Sequence, residues 1–159
     1  MPILDKQREF VEEFALYFEQ TGWLRMDGRI LAWLFICEPP HQSFSDLVNI
    51  LQASKSSIST STRQLIRAGW IERIRFPGNR RDYYRLRPEF CSSSVTYFIA
   101  KMEGLQKLTE KGMALLEGSP PARFARLAEA HDIFLYMKEE MPKLLENWER
   151  RFHTRAESG

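Results

Sequence analysis

Apolar side chains in the first part of the chain recur every three or four residues, which is the spacing of one helix face. Asp5 to Gln20 carries aromatic residues at this spacing and predicts an amphipathic N-terminal helix over 5–21, ended by Gly22. Met26 to Cys37 is apolar around most of its circumference and stops at a pair of prolines. This second segment therefore predicts a short, buried helix.

Two further helices follow at the same periodicity. Ser43 or Ser45 can cap the first of them, and Ser54 can cap the second, because a hydroxyl oxygen accepts from the free N–H groups at a helix start. Gly69 ends the second helix as its C′ residue. We expect the following side chains of this second helix to face the core: Ile58, Thr62, Leu65 and Ile66.

After the glycine the periodicity changes to that of strands. Trp70 to Phe76 and Tyr83 to Arg87 are rich in aromatic and β-branched residues, and they flank the turn sequence PGNRRD. A glycine next to an asparagine is typical of a hairpin turn. The pattern predicts a β-hairpin directly after a helix pair, which is the layout of a winged helix-turn-helix.

The last third returns to helical spacing. One long helix is predicted from about Ser94 to Glu117, and another from Ala122 to about Phe152 with a bend at Pro142. We therefore predict one mainly α-helical domain over 1–159. It consists of an N-terminal dimerisation helix (5–21), a winged helix-turn-helix module with a small β-hairpin wing (24–88), and C-terminal dimerisation helices (94–152).

Composition narrows the class of protein. The 159 residues are 43% hydrophobic and 28% charged, as in ordinary globular proteins. No stretch approaches the roughly 20 apolar residues of a membrane span, and the N-terminus lacks the layout of a secretory signal. We expect a cytoplasmic protein with no membrane partner.

Charge is distributed unevenly along the sequence. From Ser43 to Arg87 there are nine basic and three acidic residues, a net charge of +6, whereas the rest of the chain carries a net charge of −4. A positive module in an otherwise acidic chain indicates a partner with phosphates. Double-stranded DNA is the partner that fits a winged helix.

Two groups of residues are candidates for DNA contact. Short hydroxyl side chains and Arg63 form one stripe of the second predicted helix, and a hydroxyl-rich face lets the backbone approach base edges and phosphates. The hairpin tip carries paired arginines that can reach an adjacent groove. The predicted contacts are Ser54, Lys55, Ser56, Ser59, Thr60 and Arg63 on the helix, and Asn79, Arg80 and Arg81 on the wing.

Other features leave alternatives open. Arg73, Arg75 and Arg85 alternate along the strands, where phosphate contact and ordinary cross-strand solvation fit equally well. Aromatic residues outside the wing can line a cavity for an effector, for example a cationic one, although core packing explains most of them. They include Phe14, Tyr17, Trp23, Trp33, Phe98 and Trp148.

Catalytic and metal chemistry have little support in the sequence. His41, His131 and His153 are scattered, and Cys37 and Cys91 are too far apart for a zinc ribbon. There is no phosphate loop, nucleophile motif or pair of carboxylates in a plausible cleft. We therefore expect no metal, no cofactor and no enzymatic activity.

The segment from the third helix through the wing resembles the GbsR branch of MarR-type transcriptional regulators. The resemblance rests on Lys55, Ser59, Leu65 to Gly69, Trp70, the wing tip Pro77-Gly78-Asn79-Arg80-Arg81, and the pair Tyr83-Tyr84. It implies a homodimer whose terminal helices interlock and whose two winged modules bind a pseudo-palindromic operator. It further implies repression as the common mode, with possible release by a small-molecule effector. The alternative is a winged-helix module that docks a protein instead of DNA.

Overall fold

The computed structural model describes residues 5–156, with side chains described for residues 5–152. Compact packing divides the chain into two units, Met1–Phe90 and Cys91–Gly159. The elements in chain order are α1 (Asp5–Gln20), α2 (Arg25–Ile36), β1 (Gln42–Ser43), α3 (Phe44–Ile50), α4 (Lys55–Arg67), β2 (Ile71–Ile74), β3 (Tyr83–Leu86), α5 (Phe90–Ala114) and α6 (Pro121–Ala156). The mainly helical winged helix-turn-helix architecture is confirmed.

Helix α1 packs closely along α2. A Cβ atom built on Gly28 of α2 would lie 2.7 Å from the Cα of Ala15 and 2.8 Å from the Cβ of Phe18, so only glycine allows this approach of the two backbones. Glu12 of α1 pairs with Arg25 at 3.0 Å and with Arg29 at 2.8 Å. These contacts tie α1 to the winged module.

The core of the first unit lies where α2 meets α4 and the sheet, with α3 packed against α4. The periodicity of α2 predicted this burial, because its apolar residues cover most of its surface. The large side chains below 2% exposure include Ile30, Leu31, Leu47, Leu51, Ile58, Leu65 and Ile71. This core holds α4 against the rest of the module.

The sheet has three antiparallel strands in the order β1-β3-β2. In the hairpin Ile71 pairs with Leu86 and Ile74 with Tyr83, and β1 pairs Ser43 with Tyr83. The predicted strand bounds were too long at both ends of β2 and at the end of β3. The two-residue β1 was not predicted at all.

Helix α4 begins and ends where the sequence predicted. The Ser54 hydroxyl accepts from the N–H of Ser57 at 3.2 Å, and Gly69 follows the C-cap with a φ of 77°. Ile58, Thr62 and Leu65 are buried as expected. Ile66 was wrongly assigned to the core, because it lies one helical position away from Leu65 on the outer side and is 38% exposed.

The second unit consists of α5 and α6. Helix α5 begins at Phe90, earlier than the predicted Ser94, and α6 continues through Pro142 as one helix. A partly buried polar contact joins them, in which Thr109 Oγ1 lies 3.1 Å from Nδ1 of His131. Within the described residues, neither these helices nor any other is long and apolar enough to cross a bilayer.

Candidate nucleic-acid interface

The outer face of α4 is polar and built from short side chains. Lys55, Ser56, Thr60 and Arg63 are exposed, and Ser59 is half-buried beside them. The opposite face holds the buried apolar residues, so the predicted stripe does face away from the core. A second hydroxyl pair on this helix, Ser61 and Thr62, is turned inward and buried.

Some of the predicted contact residues also have a role within the helix itself. Ser54 caps α4, and its Oγ lies 3.0 Å from the Oγ of Ser56. Arg63 donates from Nε to the carbonyl oxygen of Ser59 at 3.2 Å, which lays the guanidinium along the outer face. The face therefore presents one planar cation among hydroxyl groups.

The wing tip is ordered by its own side chains. Asn79 donates from Nδ2 to the hydroxyl of Tyr83 at 2.8 Å, and its Oδ1 accepts from the N–H of Arg81 at 3.0 Å. Gly78 has a φ of 75°, in the region that favours glycine. The tip thus presents Arg80 and Arg81 as exposed side chains, while the Asn79 amide holds the turn.

The arginines of this surface fall into two groups, those that form an ion pair with an acidic residue and those that do not. Asp82 pairs with Arg75 at 2.6 Å and with Arg73 at 3.4 Å, and Glu72 pairs with Arg85 at 2.6 Å. The Arg75 guanidinium holds the pKa of the Asp82 carboxyl below its usual value. The three arginines that the sequence left undecided are therefore members of ion pairs across the hairpin.

A groove of about 780 Å³ runs between α4 and the wing strands. Its lining includes Ser59, Arg63 and Ile66 of α4 together with Arg73 and Tyr84 of the sheet. Two further arginines, Arg67 and Arg87, line it as well. Sequence reasoning missed both, although they fall within the basic segment, because only the folded hairpin brings Arg87 beside the end of α4.

Two smaller pockets lie elsewhere. One of about 280 Å³ in the second unit is lined by apolar side chains of α5 and α6, with Trp148 and Cys91 at its wall. Another of about 260 Å³ includes Trp33 and His41. Phe14 and Trp23, in contrast, belong to a set of stacked and tilted rings that also contains Phe18.

Among the side chains that the structure describes, no group of three or more His, Cys, Asp or Glu residues has the geometry to hold a metal ion. The side chain of His153 lies outside the described part. Cys37 is buried, and burial raises the pKa of its thiol to about 11. Cys91 is a free, exposed cysteine.

Comparison with known proteins shows to which family this chain belongs. The MarR family model matches residues 28–83, and the model for MmpR5-like MarR family transcriptional regulators matches residues 92–151. The chain is 40% identical over 143 residues to the HTH-type transcriptional regulator MmpR5 of Mycobacterium tuberculosis (strain ATCC 25618 / H37Rv), covering 90% of this chain and 87% of that protein. This chain belongs to the MarR family of transcriptional regulators.

A solved structure supports the same placement of this MarR-family regulator. The crystal structure of a transcriptional regulator, 39% identical, superimposes with a TM-score of 0.84 over 91% of this chain and 99% of that one. The MarR match contains α3, α4 and most of the wing. The family consists of transcriptional regulators, and the predicted class of function is confirmed.

Proposed function

We propose that this MarR-family regulator binds a pseudo-palindromic operator as a homodimer, with α4 in the major groove and the wing in the adjacent minor groove. The observation that carries the proposal is the distribution of unpaired charge. Among the described residues, Lys55, Arg63, Arg80 and Arg81 have no acidic partner and lie on α4 or the wing tip. Arg73, Arg75 and Arg85, in contrast, each have an acidic partner in Asp82 or Glu72.

The side chains of α4 fit base readout. Arg63 carries a planar fork that can donate two hydrogen bonds to guanine O6 and N7, and Ser56, Ser59 and Thr60 are short enough to leave the helix close to base edges. Lys55 and the capped N-terminus at Ser54 lie where free N–H groups and positive charge favour a phosphate. These residues form the proposed major-groove contact.

The wing fits a different contact. Asn79 orders the turn, and Arg80 and Arg81 project from it without an ion pair to any described residue. A narrow minor groove concentrates negative potential and attracts arginine side chains. We assign one of these guanidinium groups to the minor groove and the other to the flanking backbone.

Exposed apolar surface on the second unit supports the dimer. Large apolar side chains of α5 and α6 remain exposed in the single chain, and a second copy would cover them. They include Leu105, Leu108, Leu115, Ile133, Tyr136, Leu144 and Phe152. In the dimer the two α4 helices would be about 34 Å apart, one turn of DNA.

The finer parts of the assignment are also proposals. We propose that the regulator acts in the cytoplasm as a repressor, by occupying DNA that polymerase needs. The apolar pocket of about 280 Å³ between α5 and α6 supports a small-molecule effector. The GbsR branch stays a prediction, and the DNA-binding proposal does not depend on it.

The experiment is selection of duplexes from a randomised library by the purified protein, followed by footprinting and by light scattering for mass. We expect an enriched inverted repeat with half-site centres about 10 base pairs apart, bound by a dimer. In vitro transcription from a promoter carrying that site should fall when the protein is added. If no sequence is enriched over several rounds, the operator proposal is wrong.

A further inference from the structure

The groove between α4 and the wing has a defined place in the proposed complex. Major and minor grooves of a duplex are separated by one sugar-phosphate backbone. If α4 enters one groove and the wing enters the next, that backbone must pass over the space between them. The groove of about 780 Å³ is this space, so the part of its lining that lies beyond the base-reading residues Ser59 and Arg63 faces phosphates.

The charges of the lining fit a phosphate backbone. Four arginines and one glutamate line the groove. Arg73 shares Asp82 with Arg75, and Glu72 is paired with Arg85, so each of these two lining residues already has a partner of opposite charge. Within the described residues, Arg67 and Arg87 have no acidic partner, and both are exposed.

Backbone hydrogen bonds fix the positions of the two chain segments that carry Arg67 and Arg87. Arg87 donates its N–H to the carbonyl oxygen of Trp70 at 3.0 Å, and its own carbonyl accepts from the N–H of Phe90 at 3.0 Å. Trp70 in turn donates to the carbonyl oxygen of Leu65 at 3.0 Å. The end of α4, which carries Arg67, and the end of the wing, which carries Arg87, are thereby held side by side.

We propose that Arg67 and Arg87 bind backbone phosphates of the DNA strand that passes between α4 and the wing. This inference rests on the proposed mode of DNA binding and adds two residues to it. Their contacts are independent of sequence, because phosphates are the same at every base pair. The pair therefore sets affinity and the register of the module on the duplex, whereas Arg63 contributes to discrimination between sequences.

The test measures binding of the intact protein to its library-selected duplex and to a scrambled duplex, over a series of salt concentrations. The variants are Arg67→Gln, Arg87→Gln and the double variant. Lys143→Gln is the matched control, since it removes one positive charge from an exposed ion pair on α6. Thermal melting followed by circular dichroism checks that every variant is folded.

Loss of one phosphate contact lowers the magnitude of the slope of log K against log salt by about 0.9. We expect that decrease for each single variant and about twice that for the double variant, with affinity falling by the same factor for both duplexes. Arg67→Lys and Arg87→Lys should restore the slope, because a lysine keeps the charge. Lys143→Gln should leave it unchanged.

Other results would overturn the inference in distinguishable ways. If the slope is unchanged in both Gln variants while Arg63→Ala loses discrimination between sequences, Arg67 and Arg87 do not bind phosphates. The proposed function then still stands. A loss of affinity confined to the selected duplex would make them base-reading residues and would also overturn the proposal. If the unsubstituted protein selects no duplex, both this inference and the proposed function fail.

Discussion

Asp27 at the start of α2 and Ser61 in α4 face each other inside the winged module, with exposures of 0% and 1%. The N–H of Leu24 also donates to Oδ2 of Asp27 at 3.1 Å. Burial raises the pKa of the Asp27 carboxyl, and the Ser61 hydroxyl and the Leu24 N–H offset part of that rise. An acidic side chain thus lies at the contact between α2 and the helix proposed to read DNA.

The raised pKa of Asp27 predicts a pH-dependent stability. The folded state holds this proton more tightly than the unfolded chain does, so the contribution of Asp27 to the free energy of unfolding falls as pH rises from about 3.8 through the raised pKa. Asp27→Asn removes the titration and keeps an oxygen that can accept from Leu24. The variant should therefore gain stability relative to the unsubstituted protein as pH rises through this window.

Urea unfolding of the two proteins across pH 4 to 7 measures that difference, and comparing them cancels the titration of the other carboxylates. A difference in unfolding free energy that is independent of pH would contradict the assignment.

Gly28 predicts a large effect from a single methyl group. Because the new Cβ would lie 2.7 Å from backbone of α1, Gly28→Ala must push α1 and α2 apart, and overpacking of this kind costs about 1 to 3 kcal/mol. Gly104→Ala is the matched control, since a Cβ atom added there would meet nothing within 4 Å and alanine favours a helix. Thermal and urea unfolding should show the first variant destabilised and the second unchanged or more stable. Equal effects would mean that α1 and α2 do not approach each other this closely.

The two cysteines are predicted to differ in reactivity. Burial raises the pKa of the Cys37 thiol to about 11, so almost none of it is thiolate at pH 7.5. Iodoacetamide should alkylate Cys91 in the native protein and should reach Cys37 only after unfolding in urea. Mass spectrometry of peptides from both conditions checks this. Alkylation of Cys37 at the same rate in both conditions would contradict its burial.

Arg63 is predicted to contribute to operator discrimination. Arg63→Ala should weaken binding to the selected operator by about 1 to 3 kcal/mol and should relax the preference at one base pair in each half-site. Titrations with single-base-pair variants of the operator locate that position. Unchanged operator affinity would remove Arg63 from the contacts.

Local signals in the sequence were sufficient to predict the helix-turn-helix. Ser54 and Gly69 predicted the ends of α4, because a capping hydroxyl and a positive-φ glycine act through neighbouring residues alone. The buried positions Ile58 and Leu65 followed from helical spacing. The polar face of α4 could therefore be assigned before its surroundings were known.

Features that depend on distant residues could not be predicted in this way. Strand β1 has two residues and exists because Tyr83 and Tyr84 pair with it from far along the chain. The ion pairs of Arg73 and Arg85 depend on the register of the hairpin. The same holds for the groove, which forms only when the wing lies beside the end of α4.

The central claim is tested most directly by fluorescence anisotropy with two labelled duplexes, at low and at near-physiological salt. One duplex is the DNA immediately upstream of the gene, a natural place for the operator of a regulator, and the other is its scrambled counterpart. We predict that the upstream duplex stays bound as salt is raised while the scrambled duplex is released, because base contacts add to the salt-sensitive phosphate contacts. Binding to neither duplex at either salt concentration would contradict the account and favour a module that docks a protein.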